Sequence, residues 1–294
     1  MIWTIKALLD WSRDYFGSKG IPTPRLDAEI LLAHVLSLKR IELYLKFDQP
    51  VADQELARFK ELVRRRAARE PVAYLVGEVW FWSLLLAVRP GVLIPRPETE
   101  VLVEAALEAL RGLAGPGPCP VVELGTGTGA IPLALCRETT GLEIVSVDCS
   151  PAALNTAAEN RVRHQELLSP KGNRLWLVRG DRLEPIHPGF RPRLIVSNPP
   201  YIPAGVVESL EPEVSVHEPR LALDGGPDGL DFYRYLVGFA GRALAPGGRM
   251  VVEIGSDQAD EFCGLVEQAA GLRVMEIRKD LARRPRVGVV EKAE

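Results

Sequence analysis

Val121-Val122-Glu123-Leu124-Gly125-Thr126-Gly127-Thr128-Gly129-Ala130 decides the fold. A strand over 121–124 breaks into three alternate glycines and then into a helical stretch over 130–137. The glycines permit a sharp turn and close approach of backbone to ligand, and the helix start offers N–H groups with no intrahelical partner. A second strand over 143–147 ends at Asp148, whose carboxylate suits the two hydroxyls of a ribose. Strand, glycine loop, helix, strand and acid, in this order, open a parallel α/β sheet with its ligand at the carboxyl edge.

Working outward, further strands fall at 175–178, 194–197, 249–254 and 273–277, with helical stretches at 151–164, 230–244 and 258–270. Short β-rich runs alternating with helices imply a mostly parallel sheet covered on both faces. A seventh run, 287–290, follows Arg283-Arg284-Pro285-Arg286 with too little chain for a helical crossover, so it is expected to pair antiparallel. Gly115-Pro116-Gly117-Pro118 reads as a loop.

Before the sheet the texture is helical. Thr4 caps a helix with Ile5, Leu8, Leu9 and Phe16 on its apolar face, and Pro24 starts a second carrying Leu26, Ile30, Leu31 and Val35. A third opens at Asp53, turns Leu56, Phe59 and Val63 inward, and ends in Arg64, Arg65, Arg66 and Arg69. Those cations complement the helix dipole; an RNA or ribosome contact is the alternative. Val79-Trp80-Phe81-Trp82 and Leu84-Leu85-Leu86 about Ser83 read as a β-hairpin, with Trp80 to Trp82 read as packed core more than as contact surface. The expected division is a helical domain at 1–73, a hairpin linker at 74–95 and an α/β domain at 96–294.

The glycine loop alone leaves its ligand open. Gly125, Gly127 and Ala130 also satisfy the dinucleotide pattern, with Asp148 in the acidic place about 20 residues on. Glu123 and the third glycine, Gly129, favour S-adenosylmethionine, because a carboxylate beside the loop repels a pyrophosphate and suits an ammonium and a sulfonium. Asp181, after the third strand, is placed to face an adenine amino group or to serve as a plain turn residue.

Ser197-Asn198-Pro199-Pro200-Tyr201 follows the strand at 194–197 and should lie beside the glycine loop. The prolines stiffen the segment and leave its carbonyls bare. The Asn198 amide oxygen and the Pro199 carbonyl are two acceptors for the two hydrogens of one planar –NH2 group, and the Tyr201 ring can stack on it. Amide and base nitrogens are poor nucleophiles. Gripping both hydrogens orients the nitrogen and disperses the charge that develops on it. The expected reaction is methyl transfer to a planar nitrogen.

The net charge of -3 disfavours stable nucleic-acid binding, and the longest apolar runs are too short to span a bilayer. The amphipathic start, with Asp10 and Asp14, fits neither a secretory signal nor a transit peptide. Four scattered cysteines and four dispersed histidines show no ligand spacing, so the expectations are a reducing cytoplasm and no metal.

Across nearly its whole length the chain resembles the peptide chain release factor glutamine N5-methyltransferases (the PrmC/HemK family). The resemblance lies in Leu26-Asp27-Ala28-Glu29-Ile30-Leu31-Leu32, Phe81-Trp82-Ser83-Leu84 and Ile94-Pro95-Arg96-Pro97-Glu98-Thr99-Glu100, and in the segments 124–129 and 195–201. It implies a Rossmann-like class I methyltransferase domain, a mostly parallel seven-stranded sheet with an antiparallel last strand, after a helical bundle and a linking hairpin. It implies S-adenosylmethionine at Gly125, Thr126, Gly127, Thr128, Gly129, Asp148, Asp181, Arg182 and Asn198. It further implies that Asn198, Pro199, Pro200 and Tyr201 hold the glutamine of a Gly-Gly-Gln loop in class-one release factors. Where the family often carries an aromatic residue after Asp181, this chain has Arg182. The expected protein is a monomer. Rival readings are a ribosomal-protein glutamine methyltransferase, a nucleic-acid adenine-N6 methyltransferase, a non-catalytic cofactor-binding protein and, on the glycine loop alone, a NAD-dependent dehydrogenase.

Overall fold

The computed structural model describes residues 3–113 and 117–293, so the start of the loop expected at Gly115 to Pro118 lies outside the described residues. The described chain forms two compact units. The first comprises the residues up to Glu78 together with Glu211–His217. Its helices are α1 (Ile5–Ser18), α2 (Pro24–Leu36), α3 (Arg40–Leu45), α4 (Asp53–Ala67) and α5 (Val72–Val76). Thr4 caps α1 by accepting from the Ala7 N–H, and Pro24 occupies the first turn of α2. Phe16, Leu31, Leu32 and Phe59 share one buried cluster. The short α3 and α5 were not legible, since five or six residues show no period.

The arginine run is fully engaged within this unit. Arg64 pairs with Glu61 and Arg65 with Glu70. Arg66 is buried against Asp27 at 2.7 Å and Glu213 at 2.8 Å. Arg69 reaches Glu211 and Glu213. These partners, rather than the helix dipole alone, account for the cluster, and they hold Glu211–His217 in the unit.

The second unit begins at Val79. Strands β1 (Glu78–Phe81) and β2 (Leu84–Ala87) form the hairpin, turned through Trp82 and Ser83 at φ of 49° and 56°. Two left-handed residues match the right-handed twist of a hairpin. The Trp82 N–H donates to Glu100 at 2.9 Å and its indole to Glu138 at 3.0 Å. Phe81 is buried, but Trp80 is 69% exposed and so outside any core.

Then follow α6 (Thr99–Gly112), β3 (Cys119–Leu124), α7 (Ala130–Glu138), β4 (Leu142–Asp148), α8 (Pro151–Arg163), β5 (Arg174–Arg179) and β6 (Leu194–Ser197). The short turn α9 (Pro212–Ser215) lies in the segment that belongs to the first unit. The chain closes with α10 (Asp231–Ala243), β7 (Arg249–Glu253), α11 (Ala259–Glu267), β8 (Leu272–Lys279) and β9 (Pro285–Lys292). Seven strands make one sheet in the order β5-β4-β3-β6-β7-β9-β8. The first five are parallel, and β9 pairs antiparallel with both β7 and β8. The seventh strand is therefore antiparallel as expected, but it inserts beside β7 and leaves β8 at the edge.

Alternate residues feed two cores. Val121 and Val196 pack with α6 and α7, while Val122, Ile195, Met250 and Val252 pack with α10 and α11. Among the described residues no helix is long and apolar enough to cross a membrane. Chain order turns from one side of β3 to the other, so the carboxyl ends of β3, β4 and β6 bound the crevice where an open α/β sheet binds ligand.

Candidate active site

Register sets the site. Leu124 lies opposite both Val147 and Ser197, so Gly125, Asp148 and Asn198 leave the sheet side by side. The Gly125 N–H donates to the Val147 carbonyl and the Ser197 hydroxyl to the Leu124 carbonyl, each at 2.8 Å. Gly125, Gly127 and Gly129 have φ of 80°, 54° and 79°, a left-handed backbone that side chains disfavour. Asp148 accepts from the Gly127 and Ser150 N–H groups, each at 2.9 Å. Burial raises its pKa, and these backbone donors oppose the rise. It shapes the loop as well as bordering the cavity beside it.

That cavity encloses about 830 Å³, open mouth included. Of the residues singled out by sequence, Gly125, Gly127, Asp148, Asp181, Arg182, Asn198, Pro199 and Pro200 line it. Arg182 adopts φ of 50°, and its guanidinium lies 5.4 Å from the Phe232 ring and 4.9 Å from the Tyr235 ring. Phe232 also borders the cavity. An aromatic wall is thus present beside Arg182, supplied from α10. Phe232 carried no signal in the sequence, where it is one apolar residue of an amphipathic helix. Val92, Leu93, Pro219 and Leu221, likewise unflagged, complete the apolar lining.

Glu123, Thr126, Thr128, Gly129 and Tyr201 are not among the residues that line the cavity. Glu123 is fully buried and accepts from Thr126 at 2.8 Å and Ser146 at 2.5 Å, so it ties the loop down from within the sheet. Burial, aided by the nearby Asp148 charge, pushes its pKa up to about 8. A carboxyl that ionises near 4.5 when unfolded and near 8 when folded takes up a proton on folding between those values. Its contribution to stability therefore falls as pH rises through that window, by up to about 1.4 kcal/mol per unit. Glu123→Gln should flatten the decline of Tm with pH there; an unchanged slope would contradict the assignment.

The Asn198 side-chain N–H donates to the Thr99 hydroxyl at 3.1 Å, which leaves the amide oxygen as the free acceptor. Tyr201 sits behind the loop: its hydroxyl meets Glu253 at 3.3 Å and its carbonyl accepts from Gln258 at 2.9 Å. Its hydroxyl and backbone carbonyl thus brace the far end of the loop. Segment 223–230 closes from the other side, with the Gly225 N–H donating to the Ile202 carbonyl at 2.8 Å. A Cβ at Gly229 would lie 2.5 Å from the Tyr201 carbonyl, so only glycine permits this approach.

Comparison with known proteins finds relatives along nearly the whole chain. A family model described as the PrmC N-terminal domain matches residues 7–77. A release factor glutamine methyltransferase of Geobacter sulfurreducens is 46% identical over 264 residues, covering 90% of this chain and 88% of that one. The namesake from Rhodopirellula baltica is 39% identical over 292 residues, covering 99% and 97%. A methyltransferase structure from Pyrococcus furiosus superposes with a TM-score of 0.52 at 15% identity, covering 83% and 100%, and supports the fold alone. With such identity along nearly its entire length, the chain belongs to the release factor glutamine methyltransferase family.

Proposed function

We propose that the protein transfers a methyl group from S-adenosylmethionine to the side-chain amide nitrogen of the glutamine in the Gly-Gly-Gln motif of class-one release factors, in the cytoplasm. The observation that carries this reading is Asn198, a residue of the cavity wall whose side-chain –NH2 is taken up by Thr99, which leaves the amide oxygen as its acceptor. S-adenosylmethionine, when bound, supplies an electrophilic methyl carbon. Asp148 suits its ribose hydroxyls, and Asp181 with the Arg182–Phe232 wall suits a flat adenine. Gly125 to Gly129, with Thr126 tied to Glu123 and the Thr128 carbonyl accepting from Asn160, suit its amino-acid end.

At the reacting end, the Asn198 oxygen and the Pro199 carbonyl accept the two amide hydrogens. That grip aligns the nitrogen and takes up positive charge as the N–C bond forms and the methyl's bond to the sulfonium sulfur breaks, its electron pair staying on sulfur. The methylated nitrogen then releases one proton, so no strong base is needed beforehand. Pro200 keeps the loop stiff, and Tyr201 anchors its far end.

Residues 1–73 are assigned to docking of the protein substrate, 74–95 to the linking hairpin and 96–294 to methyl transfer. The docking reading is supported by α3, where Ile41 and Leu45 are 65% and 79% exposed. Leu45→Ser is expected to raise KM for the release factor several-fold, about 1 kcal/mol, while leaving cofactor affinity unchanged. An unaltered KM would move the docking surface elsewhere. The acidic net charge supports a protein rather than a nucleic-acid substrate. We also read the protein as a monomer, which light scattering would contradict by returning a dimer mass.

Labelled S-adenosylmethionine offered with a release factor, its Gly-Gly-Gln→Gly-Gly-Ala form, DNA and ribosomal proteins tests the substrate. Label confined to the native factor is the expected result. Label on DNA, or on the alanine form equally, would overturn the reading.

A further inference from the structure

We propose that Thr99 and Glu253, neither of which lines the cavity, are positioning residues that fix the Asn198 amide with its oxygen toward the substrate. The inference deepens the functional reading above and rests on it. It also gives a role to the Ile94-Pro95-Arg96-Pro97-Glu98-Thr99-Glu100 segment, which neither cofactor nor substrate has claimed.

An asparagine amide has two nearly isosteric orientations, one presenting oxygen and the other –NH2. Only the first accepts a hydrogen from the substrate. A hydroxyl beside the amide does not choose between them by itself, because it both donates and accepts. The choice needs a third group that commits the hydroxyl proton. Thr99 is buried at the start of α6, and its hydroxyl accepts from the Asn198 –NH2 at 3.1 Å. Glu253, at the end of β7, is 1% exposed, and the Thr99 hydroxyl favours its ionised form.

A carboxylate is acceptor-only, so when ionised it draws the Thr99 proton. The Thr99 oxygen is then left to receive the Asn198 –NH2, and the Asn198 oxygen faces the cavity. The same carboxylate meets the Tyr201 hydroxyl at 3.3 Å, so one buried acid steadies both ends of Asn198-Pro199-Pro200-Tyr201. Among the described residues Glu253 Oε2 is buried and has no hydrogen-bond partner, so it is an acceptor without a donor.

The device is conditional on charge. Once protonated, Glu253 can donate to Thr99, Thr99 can then donate to Asn198, and the orientation is no longer dictated. Burial lifts the Glu253 pKa to about 7, with Glu98 on the turn into α6 adding to the rise. Arg286 on β9, together with the Thr99 and Tyr201 hydroxyls, opposes it. Tyr233 on α10 also feels the Glu253 charge. Activity should therefore weaken as pH falls through about 7.

Steady-state methylation of a release factor across this pH range, by the full chain and by Thr99→Val, Thr99→Ser and Glu253→Gln, tests the proposal. Cofactor Kd and Tm are measured alongside. Thr99→Val should lower kcat about tenfold, the worth of one directed hydrogen bond, with cofactor Kd within about twofold. Thr99→Ser should retain most of the turnover. Glu253→Gln should lower kcat and lose the acidic limb of the profile. A Thr99→Val enzyme with kcat within about twofold of wild type, equal losses in Thr99→Val and Thr99→Ser, or an unchanged acidic limb in Glu253→Gln would overturn it. Absence of transfer by the wild type would instead overturn the functional reading.

Discussion

Asn198→Ala should reduce kcat by about 10² to 10³ while S-adenosylmethionine still binds within a few-fold of its normal affinity. The asparagine presents an acceptor where positive charge develops, and such groups act mainly in the transition state. Its loss should therefore appear in kcat more than in KM. The fold should tolerate the change, since among the described residues the side chain bonds Thr99 and Asn198 borders an open cavity. Single-turnover kinetics together with cofactor titration separate the two effects. Turnover within about threefold of wild type would remove Asn198 from the reaction.

Asp148→Ala should act on the cofactor instead. Asp148 holds the Gly127 and Ser150 N–H groups, and its carboxylate keeps lone pairs for two ribose hydroxyls. Hydrogen bonds to a charged group are worth about 1.5–3 kcal/mol each, so the cofactor Kd should rise about 30-fold or more. The glycine loop should loosen as well, because a left-handed backbone at Gly127 loses its anchor. Calorimetry measures the Kd directly. A change below about threefold would mean that Asp148 only shapes the loop.

Much of this site was legible because its parts are local. Strand, glycine loop and terminal acid fall within residues 121–148, and parallel register alone brings Asn198 alongside them. What escaped depends on residues far apart in sequence. Phe232 meets Arg182 only because α10 packs across the sheet. Arg69 meets Glu213, 144 residues away, and no periodicity marks either partner. Glu123 was expected beside the ligand, yet it is buried in the strand, where its Oε2 accepts from both Thr126 and Ser146. The contacts of Tyr201 were hidden too, its hydroxyl meeting Glu253 and its backbone carbonyl accepting from Gln258. The place of β9 was equally hidden, since a local pattern gives a strand's direction but not its neighbour.

The central claim is that this loop methylates a glutamine amide within Gly-Gly-Gln. Tandem mass spectrometry of a release factor incubated with the protein and S-adenosylmethionine tests it most directly. The expected result is one added methyl on the glutamine side-chain nitrogen of the Gly-Gly-Gln peptide, absent when the Asn198→Ala enzyme is used. A methyl on any other residue, or an unmodified factor under conditions where nucleic-acid adenine is methylated, would contradict it.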